Sequence, residues 1–294
     1  MERQFGAVRF IPGPNSGKYP HCHSVYVEGQ VKVLIDPAAD RERLTALRDG
    51  PGVDQVWLTH SHEDHITHLD LFEDRELGVH PMDAPALGDL ETFLDYYDMT
   101  DPEIRGFWAE ILVKNFNYKP RTPDRLFADD ETVDLGGAEV RILHAPGHTP
   151  GHTAFFFPDE GVLFLADYDL TPFGPWYGDR YSSIEDTIAS VRRLRDLPAR
   201  VWLTCHEDGL FETEPGPLWD RYLAVIDDRE SRLLELLRTP RAMAEVIEAR
   251  LVYRKKKEPA AFFDFGERAI MGKHLERLIG QGRVVEDRGV YALV

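Results

Sequence analysis

The densest chemistry in the chain lies in WLTHSHEDHITH, where His60, His62, Asp64 and His65 fall within six positions. Imidazole and carboxylate are ligand groups of Zn2+ and related divalent ions, and two histidines one residue apart in an extended loop can aim both rings at one ion. Asp64 and His65, next along the turn, can face a second ion. Other histidines lie near this cluster and near later motifs: His68, His80, His144 and His152, with His21 and His23 at the start of an early β-prone run. A lone histidine is more often a hydrogen-bonded structural residue, which is the reading taken for these. His23 and His152 are the two best suited to support ligands or touch substrate.

Residues of this kind need rigid elements to present them. Short β-branched runs that end in turns predict strands at Cys22–Glu28, Val31–Asp36, Gln55–Thr59, Ala138–Leu143, Gly161–Ala166 and Arg200–Thr204. Helical spacing appears between them at Asp40–Asp49 and Ser183–Leu197, the latter with Ile184, Ile188, Val191 and Leu194 on one face and serine followed by acids at its start. Strands mixed with helices predict a layered α/β architecture. The polar chemistry falls where the strands end: His60 follows VWLT, Asp167 follows VLFLA, and His206 nearly follows a second VWLT.

Two stretches break the rhythm. The first, about 83–125, is helix-prone and acidic and carries Phe93, Tyr96, Tyr97, Phe107, Trp108, Phe116 and Tyr118; it reads as a helical insertion whose aromatics suit a core, a subunit contact or a lid. The second starts near Asp227: a helix to Leu237, TPRAMAEVIEARL, FGERAIMGKHLERLIGQG, and a hairpin in RVVEDRGVYALV, which together form a winged-helix layout. The division expected is residues 1–226 for a catalytic domain and 227–294 for this tail. After Asp167 runs YDLTPFGPWYGDRY, where Tyr168, Trp176 and Tyr177, with Phe173 and Tyr181, either line an apolar pocket or pack against the insertion.

HSHEDH resembles the HxHxDH signature of metallo-β-lactamase-fold hydrolases, and APGHTPGH, FLADYD and LTCHEDG follow in the order that family uses. The resemblance spans roughly residues 5–210 and implies an αββα sandwich. Position by position, it implies that His60, His62 and His148 hold one ion, that Asp64, His65 and His206 hold the other, and that Asp167 bridges both. Two such ions lower the pKa of a shared water from 15.7 toward about 7 and polarise a carbonyl or phosphoryl oxygen. Asp64 is then suited to pass a proton to the leaving group. Zinc is the first choice for both ions, with iron or manganese compatible with the same ligands. His62 stands where the flavodiiron branch carries a glutamate, which argues against that branch. The resemblance gives Cys205 no role, so it reads as a small buried residue, and Glu63 as supporting a ligand or facing solvent.

Function classes narrow accordingly. A formal charge of −18 argues against a surface that coats nucleic acid or anionic membrane. No run approaches the roughly 18 apolar residues of a membrane span, and MERQFGAVRF lacks an apolar signal core. With only Cys22 and Cys205, a soluble cytoplasmic protein is expected. The expected activity is hydrolysis of a small ester, thioester or lactone, as in glyoxalase II-like members. Metal-dependent cleavage of RNA is the alternative, suggested by the tail and the basic run Arg250, Arg254, Lys255, Lys256 and Lys257. A persulfide dioxygenase with one iron is a further alternative. The aromatics of the insertion also suit a homodimer contact.

Overall fold

The computed structural model describes all 294 residues, Met1 to Val294. Seven strands form a first sheet in sequential order: β1 (Arg3–Phe5), β2 (Val8–Ile11), β3 (Ser24–Glu28), β4 (Lys32–Ile35), β5 (Gln55–Trp57), β6 (Glu76–Val79) and β7 (Arg125–Leu126). Pairing is antiparallel from β1 to β4 and parallel from β4 to β7. Parallel neighbours need crossovers. Helix α1 (Arg41–Asp49) supplies one between β4 and β5, and α2 (Ala84–Gly88), α3 (Leu90–Tyr96) and α4 (Pro102–Asn115) lie between β6 and β7. Asp40 caps α1 by accepting from the Arg43 amide.

The second sheet holds β8 (Thr132–Asp134), β9 (Glu139–His144), β10 (Thr153–Phe157), β11 (Val162–Phe164), β12 (Val201–Leu203) and β13 (Leu210–Phe211), in the order β13-β12-β11-β10-β9-β8. Its one parallel pair, β11 with β12, is joined by α5 (Ile184–Arg195), which Ser183 caps. Between the sheets pack Val25, Val33, Trp57, Ile142, Phe155, Phe157 and Phe164. Alternate residues turn outward: Leu143, Phe156 and Leu163 meet Val191 and Leu194 of α5. On the other side α1 and the insertion helices cover the first sheet. The result is an α/β sandwich with helices outside both sheets, as expected. Each fully buried Phe or Leu in these layers contributes about 1.5–3 kcal/mol.

The chain then continues as α6 (Pro217–Leu236), β14 (Arg241–Ala242), α7 (Met243–Glu248), α8 (Ala260–Gly280), β15 (Val284–Asp287) and β16 (Val290–Leu293), with a three-stranded sheet ordered β14-β16-β15. The helix expected from Asp227 begins ten residues earlier. Proline in the first turn suits a helix start, and Trp219, Tyr222, Ile226, Arg229 and Leu233 then fall on one buried face. Strand β10 was not anticipated: its TAFFF is buried at every position, so it shows no alternation. In the insertion Phe93, Trp108, Phe116 and Tyr118 are buried, while Phe107 is 58% exposed. No helix is long and apolar enough to cross a membrane.

Candidate metal centre

The loops that leave β5, β9, β11 and β12 converge at one edge of the sandwich. His60 to His65 follow β5 in a tight turn, with the His65 amide donating to the His62 carbonyl at 3.2 Å. His148 comes four residues after β9, Asp167 three after β11, and His206 three after β12. Buried Asp83 ties the first and second of these loops together, accepting from the Ser61 amide (3.0 Å), the Thr149 hydroxyl (2.8 Å) and the Gly151 amide (2.8 Å).

Each of the five histidines spends one ring nitrogen on the protein. His60 Nδ1 meets the Thr59 hydroxyl at 2.9 Å. His65 Nδ1 donates to Asp36 at 2.9 Å, and His62 Nε2 donates to Asp179 at 2.6 Å. His148 Nδ1 donates to the Trp176 carbonyl at 3.1 Å, and His206 Nδ1 to the Gly17 carbonyl at 2.7 Å. A nitrogen that donates on one side leaves a lone pair on the other. Those lone pairs face one another: His148 Nε2 lies 3.1 Å from His60 Nε2 and 3.0 Å from His62 Nδ1. Asp167 sits among them, its Oδ1 3.0 Å from His65 Nε2 and its Oδ2 3.3 Å from His148 and 3.5 Å from His206. Asp64 lies 3.4 Å from His206 Nε2.

Two sets result, one of His60, His62, His148 and Asp167, the other of Asp64, His65 and His206, with the potential ligand atoms of each within 4.8 Å of one another. Their chemistry fits divalent cations. Buried His65 Nε2 and Asp167 Oδ1 have no hydrogen-bond partner. Asp36, Glu63, Asp64, Asp83 and Asp179 are all buried around the cluster, and the ion pairs they and Asp167 make are only to histidines. Buried carboxylates need paired or coordinated cations, and neither lysine nor arginine supplies one here.

The field of these acids is legible in the titration directions. Burial pushes His60 well down. Burial also opposes charge on His62, His65 and His206, yet facing groups override it: Asp179 takes His62 up to about 9, Cys22 and then Asp167 raise His65 well above the usual histidine value, and Asp167 and Asp169 do the same for His206. Asp167 is held well below the carboxylate range by the surrounding imidazoles despite its burial. Asp169, raised to about 7 chiefly by burial, accepts from the His206 amide at 3.1 Å and so shapes the last loop.

The remaining sequence candidates surround the cluster without joining it. His152 takes the Asp167 amide on Nε2 at 3.3 Å and donates from Nδ1 to the Ala145 carbonyl. His23 accepts from the Gly13 amide and donates to the Glu207 carbonyl, pinning two loops. The Tyr168 hydroxyl donates to the Ala145 and Pro146 carbonyls. Trp176 donates from its indole to Asp179, and Tyr177 turns toward α6 and α8. His80 and His144 stack at 4.0 Å with Asp129 beside them. His68 lies beside Arg41, and the His21 carbonyl accepts a hydrogen bond from His206 Nδ1. Cys205 is buried with its Sγ 3.6 Å from Asp36. Glu63 is buried, not solvent-facing, and accepts from Tyr19 (2.8 Å) and Tyr97, whose ring stacks on His62. Asp36, Asp83 and Asp179 were not singled out from the sequence; only the position of Asp36 at a strand end offered a signal.

A model described as the metallo-beta-lactamase superfamily matches residues 20–206. An acyl-coenzyme A thioesterase of Gallus gallus, MBLAC2, is 32% identical over 149 residues, 48% of this chain and 50% of that protein. A hydroxyacylglutathione hydrolase of Ruegeria pomeroyi is 31% identical over 171 residues, 58% of this chain and 54% of that protein. The chain thus spans about half the length of these curated relatives. A metallo-beta-lactamase family protein of Thermus thermophilus shares the fold with a TM-score of 0.75 at 24% identity, covering 98% of this chain and 99% of that one. A beta-lactamase domain protein of Burkholderia ambifaria does so with a TM-score of 0.71 at 18% identity, covering 100% and 94%. Motif order, sandwich and matched family model agree, and the chain belongs to the metallo-beta-lactamase superfamily.

Proposed function

We propose that the protein is a dinuclear metal-dependent hydrolase that cleaves a small thioester, with esters or lactones as related substrates. The observation that carries this is the set of five histidine lone pairs and two carboxylates facing one another while every opposite ring nitrogen is held by the protein. His60, His62 and His148 would hold one divalent ion, Asp64, His65 and His206 the other, and Asp167 would be shared. Zinc is the first choice, and iron or manganese suits the same donors. Such ions supply Lewis acidity that acidifies water and draws charge from an acyl oxygen. Asp64, 3.4 Å from His206 and almost wholly buried, is placed to carry a proton to the departing thiol. Tyr97 stacks on His62 and donates to the buried Glu63 beside it, which fixes that flank of the site. Two donor sets, with Asp167 in the first and its oxygens 3.0 Å from His65 and 3.5 Å from His206 of the second, favour two ions over a single iron centre.

The three C-terminal helices with their β-hairpin support a winged-helix reading, but their basic run is largely committed within the chain. Arg254 pairs with Asp228, Lys256 with Glu248, Arg250 with Asp264, and Lys257 lies over Tyr253 and Phe263. That leaves little to grip phosphates and places RNA cleavage second.

The test is turnover by metal-loaded protein of acyl-coenzyme A and acylglutathione thioesters, lactones and single-stranded RNA, with Asp64→Asn as control. Thioester hydrolysis is expected, and it should fall roughly 10²-fold or more in the variant. Cleavage confined to RNA and lost in Asp64→Asn would overturn the proposal.

A further inference from the structure

We infer that helices α6 and α8 brace the three-histidine half of the centre through Arg229 and Tyr177, which act as positioning residues. The inference rests on the metal-binding reading above.

No helix or strand lies between Phe164 and Ile184, yet this loop makes the last contact to two of the five histidines. The Trp176 carbonyl receives His148 Nδ1, and the Ser182 hydroxyl donates to the His148 carbonyl at 2.5 Å. Asp179 receives His62 Nε2 and is itself held by the Trp176 indole at 3.0 Å. Histidines 60, 65 and 206 use acceptors elsewhere: Thr59, Asp36 and Gly17. A shift of Trp176 therefore reaches His62 and His148 together and spares His65 and His206.

What holds Trp176 comes from the C-terminal helices. Arg229 of α6, 1% exposed, donates to the carbonyls of Phe173 (2.7 Å) and Pro175 (2.7 Å) and to the Tyr177 hydroxyl (3.1 Å). That hydroxyl in turn donates to His274 Nε2 of α8 at 2.9 Å. Both peptide neighbours of Trp176 are thus fixed from one side while its own carbonyl is aimed to the other. Arg229 makes no ion pair. A buried guanidinium without a carboxylate is costly, and an apolar residue of its size would pack there more cheaply, so its retention suits a geometric role better than a stabilising one. Outer-shell groups that orient a metal-bound imidazole govern affinity for the ion, which is the quantity this brace should control.

Zinc affinity, measured by chelator competition in two single-site backgrounds, tests the brace. In His206→Ala the remaining ion occupies the three-histidine position; in His62→Ala it occupies the other. Adding Arg229→Met or Tyr177→Phe is expected to weaken zinc about tenfold in the first background, the low end for a lost outer-shell partner, and to change it by less than about twofold in the second. Equal losses in both backgrounds, or none in either, would overturn the brace. Tyr177→Phe removes a single hydroxyl and keeps the test decisive where Arg229→Met does not fold. A parent chain that binds no zinc defeats the metal reading and the brace with it. If it binds two and the variants match it, only the brace fails.

Discussion

At the scale of single residues, the protein uses its buried histidines in two opposite ways. His62, His65 and His206 of the cluster sit among carboxylates that favour positive charge, whether a proton or a divalent ion. His23 is the contrary case: burial lowers its pKa to about 4, and its two nitrogens are committed to the Gly13 amide and the Glu207 carbonyl as a neutral ring. Its folded value lies below the ordinary 6.5, so between those two pH values the unfolded chain binds the extra proton. Stability contributed by neutral His23 is therefore complete above about pH 6.5 and is lost as pH falls toward 4, by up to about 3 kcal/mol. Urea unfolding at pH 7, 5 and 4 reads this slope, and His23→Gln is expected to flatten it. An unchanged slope in the variant would assign the acid sensitivity to other groups, such as the equally buried His152.

At the scale of elements, placement of the ligands depends on how tightly loops and helices meet. Gly147, one residue before His148, has φ +132, and a Cβ there would lie 2.3 Å from the Thr187 amide nitrogen in α5. The helix backbone cannot yield without moving the whole of α5, whose Val191 and Leu194 are packed on the second sheet. Gly147→Ala should cost about 1–3 kcal/mol in backbone strain alone, visible as a lower urea midpoint, and should loosen His148. A variant as stable as the parent would mean that the loop relaxes without help from α5. The insertion shows the same interlocking: Trp108 of α4 packs against Phe262 and Phe265 of α8, so segments more than 150 positions apart share one seam beside the centre.

At the scale of the molecule, the centre concentrates negative charge inside a chain already at −18. Carboxylates buried without lysine or arginine partners oppose folding until cations arrive, and ions bound only by the folded state add stability by mass action. At a free zinc concentration of 100 times Kd, each site should add about 2.7 kcal/mol. Chelation is accordingly expected to lower the unfolding free energy by several kcal/mol, measured by urea titration with and without EDTA. Equal stability with and without metal would show that the acids are satisfied by the protein alone.

The sequence by itself determined the kind of chemistry and much of the scaffold. HSHEDH packs four donor side chains into one turn, the capped helices α1 and α5 carry their starts in Asp40 and Ser183, and the β-branched runs mark most strands that feed the site. Strand β10 escaped notice because burial on both faces erases alternation, and the start of α6 because a proline beside a glycine reads as a break as readily as a first turn. Only the tertiary structure decided which groups hold the histidines in place. Asp83 and Asp179 are single acids in loops, indistinguishable along the chain from solvated ones. The acceptors for His148 and His206 are carbonyls of Trp176, Gly17 and His21, and a backbone oxygen leaves no trace in residue type. Donor identity is local chemistry and can be read along a chain; orientation is a property of distant segments brought into contact, and it exists only once they have folded together.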